Sequence, residues 1–253
     1  MTPESFDFLI RRVKINLPPD VQTEFHDALR LYMKRKSVHF YNHDVLRHNG
    51  LSVLRIEAEH TPDKAKKSPE DSAQGLCATL FVSKGCRMMI ISNLLTSFGL
   101  VNGTMGTLLD VVWKTPDQCI KTLPCFLLFK PEKYTGPAFF HNTDGKPVVP
   151  ILLIRHEWEV GLQTYTRTMF LLVLAYAVTI HKSQGITLEK AVLDLSNEDF
   201  SLGLSYMGIS CARHIKGLMF DKPFDISRFK ERPTETRQMR AEDAAFRDGQ
   251  CIV

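Results

Sequence analysis

The stretch Ala175-Tyr-Ala-Val-Thr-Ile-His-Lys-Ser-Gln-Gly185-Ile-Thr-Leu188 sets an apolar, strand-like run against an abrupt polar cluster, and an apolar strand pattern resumes at Ala191–Leu195. Burying the run leaves Thr179, His181, Lys182, Ser183 and Gln184 at its exit, followed by a glycine that frees the backbone. Hydroxyls, an ammonium and backbone N–H groups at a strand end suit phosphate oxygens, whether of a nucleotide or of a nucleic-acid backbone. Composition alone makes such a strand end an ordinary surface turn, so the order of the residues carries more than their types.

Working outward, 253 residues suffice for one large domain or a domain with a sizeable insertion. Hydrophobic content of 44% with 24% charged residues is that of a soluble globular chain, and the net charge of +4 is too small to imply a nucleic-acid partner by itself. Six cysteines, at 77, 86, 119, 125, 211 and 251, form no Cys-x-x-Cys pair. That pattern argues against a disulfide framework or zinc knuckle and for a reducing compartment. The N-terminus has no secretory-signal architecture, and the longest apolar run, Met169–Ile180, is too short to span a bilayer.

Periodicity predicts a helix giving way to a strand over 21–33, a second helix over Ser37–Gly50, and strands at Leu51–Ala58 and Gly85–Asn93. Thr61–Gly75, rich in Lys, Pro, Ser and Glu, is expected to be an exposed loop. From Asp110 to about Val160 short apolar strands alternate with Pro- and Gly-rich turns, the pattern of a small inserted β-barrel or sheet. Met169–Val178, apolar at successive positions, is expected to be one central strand buried on both faces, and Gly217–Phe220 the last strand before a polar tail. His39 and His43 lie four apart, a zinc-compatible spacing, but no third ligand completes a set, so no metal site is assigned.

Thr179-Ile-His-Lys-Ser-Gln-Gly-Ile-Thr-Leu188 closely resembles, over ten consecutive positions, the fifth conserved motif of the Pif-one family of DNA helicases, relatives of RecD in helicase superfamily one. Three further segments carry the resemblance in order. Ala28–Tyr32 with Val38-His-Phe-Tyr-Asn42 looks like the fourth motif. Lys84–Asn93 and Gly99–Gly106 match the approach to the family's inserted barrel, and Tyr206-Met-Gly-Ile-Ser-Cys-Ala-Arg213 looks like the sixth motif. The resemblance covers nearly all of the chain from Phe8.

It implies an α/β fold: a RecA-like second motor domain, a parallel sheet flanked by helices, with an inserted small β-barrel. The implied division is 1–109 and 166–222 for the two parts of that domain, 110–165 for the barrel and 223–253 for a polar tail. It assigns Asn42, Thr179, His181, Lys182 and Ser183 to single-stranded DNA, and Gln184, Gly185, Thr187 and Ser210 to the nucleotide, with Ser210 capping a following helix. The implied function is that of the C-terminal half of an ATP-dependent five-prime-to-three-prime DNA helicase. Such an enzyme uses ATP and magnesium, partners single-stranded DNA and an N-terminal motor domain in cis or trans, and needs no membrane. Repair, recombination or telomere maintenance in the nucleus, or a mitochondrial location, follow from the same likeness.

Three departures bear on mechanism. The arginine that follows the serine of the sixth motif, which neutralises charge developing in phosphoryl transfer, is Cys211 here. Met169, Leu171 and Val173 stand where the family has a Gln, a Pro and an Arg. The chain also contains no Gly-x-x-x-x-Gly-Lys-Ser/Thr phosphate loop and no Asp-Glu dipeptide for magnesium. No catalytic residue is assigned, and the chain is not expected to hydrolyse ATP alone. The alternative is a non-catalytic DNA-binding or interaction module, or a degenerate helicase remnant.

Overall fold

The computed structural model describes residues 3–115, 122–196, 203–229, 239–240, 242–244 and 246–247. In chain order the helices are α1 (Pro3–Ile10), α2 (Pro19–Thr23), α3 (Arg35–His48) and α4 (Leu204–Ser210). The strands begin with β1 (Leu29–Tyr32), β2 (Leu54–Glu57), β3 (Glu59–Thr61), β4 (Thr79–Val82), β5 (Arg87–Ile90), β6 (Met105–Val112) and β7 (Phe126–Pro131). They continue with β8 (Phe140–His141), β9 (Pro147–Val160), β10 (Gln163–Phe170), β11 (Leu172–Leu174), β12 (Ala177–Thr179), β13 (Ala191–Asp194) and β14 (Leu218–Phe220). Among the described residues no helix is long and apolar enough to cross a membrane.

A parallel sheet, ordered β12-β1-β13-β14, positions the site. Strands β12, β13 and β14 are short and wholly buried, so they read as near-continuous apolar runs, whereas β1 alternates buried Leu29 and Leu31 with partly buried Arg30 and Tyr32. One face packs Leu29, Leu31, Val178, Leu193 and Phe220 into a core; the other meets Phe25 and Leu17 through Val192 and Met219. Helix α3 lies against β12, where Asn42 is buried in the contact.

The second sheet is antiparallel, ordered β11-β5-β6-β7-β9-β10-β3, with β8 added on β9. It recruits β3, β5 and β11 from outside 110–165, so the antiparallel unit is wider than the segment that sequence spacing marked out. Period-two alternation makes β5 a seam between the two cores: Met88 faces the core of this sheet, Met89 that of the parallel sheet.

Met169–Val178 is not one strand. It divides among β10, β11 and β12: the first two pair antiparallel with β9 and β5, and only Ala177–Val178 of this stretch, continuing to Thr179, enter the parallel sheet. Apolar residues on both faces fitted this equally well, because the chain passes from one core to the other without leaving the interior. Of the polar tail, residues 230–238 and 248–253 lie outside the described residues; those described between 239 and 247 are helical.

Thr61–Gly75, expected to be an exposed loop, is pinned from below. It contains a 3-10 turn at Asp63–Lys67, and Ala65 and Ala73 are fully buried. The pin is Arg167 on β10, which is itself fully buried. Its guanidinium donates to the carbonyls of Leu76 (2.7 Å), Ala65 (3.1 Å) and Ser68 (2.8 Å), and Nε donates to His60 Nδ1 at 3.4 Å.

In that contact Nδ1 is the acceptor, which in the neutral imidazole leaves the proton on Nε2. Burial first, then the positive charges of Arg167 and Lys66, lower the His60 pKa, against a smaller opposing pull from Glu57 and Asp63. A histidine whose folded pKa is depressed is protonated more readily in the unfolded chain, so stability is lost as pH falls below the unfolded value of about 6.5. The thermal midpoint should therefore drop between pH 7.5 and 5.5. His60→Asn, which keeps an acceptor near Nδ1 but cannot protonate, should flatten that part of the profile; an unchanged slope would remove His60 as its source.

Candidate nucleotide and nucleic-acid interface

In an open parallel sheet, ligands meet the carboxyl ends of the strands where the strand order reverses. Here β1 lies between β12 and β13, which are consecutive in the chain, and the polar cluster emerges at the carboxyl end of β12. Thr179 is its last residue, 8% exposed, in register with Tyr32. The chain then makes a 3-10 turn, Ile180–Ser183, with Ile180 driven into the core. His181, Lys182, Gln184, Gly185 and Thr187 all face solvent. Gly185 has φ +81°, a left-handed backbone that an L side chain adopts only with strain, while a Cβ there would meet nothing within 4 Å.

The loop after Gly185 docks on the segment following α4. Leu188 N–H donates to Cys211 O (2.8 Å) and Arg213 N–H donates to Leu188 O (2.9 Å), a parallel bridge of Leu188 with Ala212. The two segments that resemble the fifth and sixth motifs, Thr179–Leu188 and Tyr206–Arg213, are thus joined through backbone across the seventeen residues between them.

Three assigned residues are placed differently from the sequence-based expectation. Ser183 is fully buried, and its hydroxyl donates to Ile180 O (2.7 Å) and lies 3.2 Å from Cys211 Sγ, so it faces the interior rather than a phosphate. Ser210 does not start a following helix; it ends α4, with Oγ donating back to Met207 O at 2.8 Å, and its side chain is exposed. Asn42 uses its amide on backbone: Nδ2 donates to Leu174 O (3.3 Å) and Ala177 O (3.0 Å), while Oδ1 accepts from Ala177 N–H (2.7 Å). It clamps α3 to the start of β12, and thereby orients the strand that presents Thr179.

Cys211 is buried, its thiol within reach of Ser183 O (3.3 Å) and Met207 O (3.2 Å). It ties the loop to α4 and offers no charge at the surface. Arg213, two residues on, is paired with Glu189 Oε1 at 2.6 Å.

Periodicity missed a pocket of about 90 Å³ between α3, β4 and β12, into which Thr179 and Lys182 also project. Arg35 and His39, one turn apart on α3, line it together with Phe81 and Glu70. The i, i+4 spacing of Arg35 and His39 was the available signal, but the β4 wall comes from more than thirty residues downstream and leaves no mark in the helix pattern. Arg35 Nη2 lies 2.8 Å from both carboxylate oxygens of Asp71.

A parallel α/β domain with an exposed polar loop at the switch point, braced by the segment after the following helix, is RecA-like in class. No protein-family model matches the chain. It is 27% identical over 231 residues to the ATP-dependent DNA helicase Pif1 of a Psychrobacter strain, covering 78% of this chain and 34% of that protein. It is 28% identical over 201 residues to human ATP-dependent DNA helicase PIF1, covering 76% and 26%. The crystal structure of Pif1 helicase from Candida albicans superposes with a TM-score of 0.65 at 23% identity, covering 96% of this chain and 58% of that one. Bacteroides Pif1 in complex with ADP-AlF3 and ssDNA gives 0.59 at 19% identity, covering 98% and 55%. The chain is Pif-one-like and similar to the C-terminal portion of these helicases; it spans about a quarter to a third of the length of these two curated relatives.

Proposed function

We propose that this chain is the second motor domain of a DNA helicase of Pif-one type, binding single-stranded DNA at the carboxyl end of β12 and closing over ATP supplied by a first motor domain. The observation that carries the reading is the loop 179–188, with His181, Lys182, Gln184, Gly185 and Thr187 exposed on a frame fixed by the Leu188–Ala212 bridge. In this assignment Thr179, His181 and Lys182 meet the DNA backbone, whereas Gln184, Gly185 and Thr187 face the nucleotide, with Ser210 beside them. In the same proposal the barrel insertion is the 110–165 portion of the antiparallel sheet, which β3, β5 and β11 extend beyond those limits. Similarity to proteins named as ATP-dependent helicases, and to a structure holding a nucleotide analogue with single-stranded DNA, supports the helicase reading and its two ligands.

The chain lacks a phosphate loop and a magnesium carboxylate pair, so ATP and magnesium belong to a cleft completed by a partner domain in cis or trans. The nuclear or mitochondrial setting belongs to the same proposal. A second reading, a non-catalytic single-strand-binding module or helicase remnant, is favoured by Cys211, whose buried thiol supplies no positive charge to a γ-phosphate.

Titration of a fluorescent oligothymidylate across a salt series tests the DNA assignment. The affinity should fall with rising salt. Lys182→Ala should weaken binding several-fold and reduce the magnitude of the log–log slope by about one, the signature of a lost phosphate contact. A slope unaltered by Lys182→Ala would remove that residue from the DNA path. Adding a separately produced first motor domain then divides the two readings: DNA-stimulated ATP hydrolysis supports the motor, and binding without hydrolysis supports the module.

A further inference from the structure

We infer that the pocket beneath Arg35 and Lys182 takes one unstacked base of the bound strand, while an adjoining phosphate rests on its cationic lip. The inference rests on the DNA reading proposed above and adds a base subsite to it. Size comes first. At about 90 Å³ the pocket is well short of the roughly 300 Å³ that encloses a whole drug-sized ligand, so it has room for a ring and not for a nucleotide.

The chemistry of the lining is graded in the same sense. Lys182, His39 and Arg35 at the lip are exposed, Arg35 being paired with Asp71 so that Lys182 is the principal cation there, while Leu80, Leu174 and Ala177 deeper in are buried. Charge outside and apolar surface inside match the phosphate and the π-face of a nucleotide, in that order. His43 and Phe81 stand edge to face in the wall, ring centroids 4.9 Å apart, and offer an aromatic surface to a ring entering between them and β12.

Two groups select what enters. Glu70 is the carboxylate of the lining; it repels phosphate from the interior and accepts a hydrogen bond from an exocyclic amino group. The neighbouring Cys77 thiol is pushed up to about 12 by burial, so it stays neutral and adds no second anion. An amino-bearing base such as cytosine is therefore favoured over thymine.

The test uses the full chain and three oligomers of about twelve nucleotides, spanning one binding site: oligo-dC, oligo-dT and a uniformly abasic strand. A base-accepting pocket predicts that oligo-dC binds at least about ten-fold tighter than the abasic strand at equal salt, with equal salt slopes because the phosphate contacts are shared. Thr79→Phe, which fills the pocket from the partly exposed β4 side, should erase that advantage and leave abasic binding unchanged. Glu70→Gln should narrow the dC-over-dT preference. A Thr79→Phe protein with a wild-type thermal midpoint that keeps the full base advantage overturns the inference, as does equal binding of oligo-dC and the abasic strand by the wild type. If Thr79→Phe does not fold, Phe81→Ala takes its place, and an undiminished base advantage there is equally fatal. Both adverse results leave the DNA reading standing, because salt-dependent binding persists; loss of binding to all three strands removes the DNA reading and the pocket with it.

Discussion

Arg167→Met should cost about 3 kcal/mol or more of stability, a large share of the 5–15 kcal/mol typical of a folded domain. The guanidinium is fully buried, and beyond the longer contact with His60 Nδ1 its partners are backbone carbonyls, at Leu76, Ala65 and Ser68, with the Trp158 ring centroid 5.8 Å away. Burial lowers the pKa of Arg167, opposed by Cys77 and Glu70, so the native state already bears a desolvation cost. Replacing a buried ion pair by apolar residues is often harmless because both partners leave together. Carbonyls cannot be mutated away. Methionine removes the charge but strands three acceptors, each at about 1–3 kcal/mol if it stays dry. Urea denaturation would read the loss directly, and amide exchange should show 62–77 opening first. Arg167→Lys should fall between, since one ammonium cannot span three acceptors set for a planar fork. A loss under about 1 kcal/mol for Arg167→Met would mean that water replaces the guanidinium without penalty.

Gly217→Ala should be comparably damaging, for a steric reason. A Cβ at Gly217 would lie 2.0 Å from Glu189 O and 3.2 Å from its carbonyl carbon, and both are backbone atoms that no rotamer change can move. Gly217 immediately precedes β14 and Glu189 lies just upstream of β13, whose register begins Ala191 opposite Leu218. Relief requires the two strands to part by more than an ångström at that end, loosening Leu218 and Phe220 from the core and displacing the backbone bridge between Leu188 and Ala212. Overpacking of this kind costs about 3 kcal/mol at the upper end of its usual range, which lowers the thermal midpoint of a domain this size by roughly 6–12 °C. Gly185→Ala provides the contrast. Its Cβ meets nothing, so only the φ of +81° counts, at about 1 kcal/mol. Equal midpoints for the two variants would show that Gly217 relaxes without separating the strands.

The order of residues at 179–188 was enough to place a polar loop after a buried strand, because a run of apolar residues ended by His-Lys-Ser-Gln-Gly leaves few other backbone solutions. The helix expected over Ser37–Gly50 was legible from its 3.6-residue spacing and lies at Arg35–His48, but the inward direction of Asn42 was not legible. Which sheet each apolar run joined was not. Met169–Val178 looks the same whether it pairs with β1 or with β5 and β9, since burial on both faces erases the period that would distinguish them.

Side-chain direction within the loop was equally hidden. Ser183 and Lys182 are adjacent and both polar, yet one hydroxyl is shut against Cys211 and the other side chain is in solvent. Arg167 gave no sign of burial, because its partners are carbonyls from a loop a hundred residues earlier and carbonyls have no residue identity. Local order therefore determined the strand–loop–glycine frame, the helix that braces it and the likeness to helicases. Tertiary structure alone decided which polar groups face solvent, which cation is buried, and that α3, β4 and β12 enclose a pocket, because those outcomes depend on contacts between segments that share no periodicity in the chain.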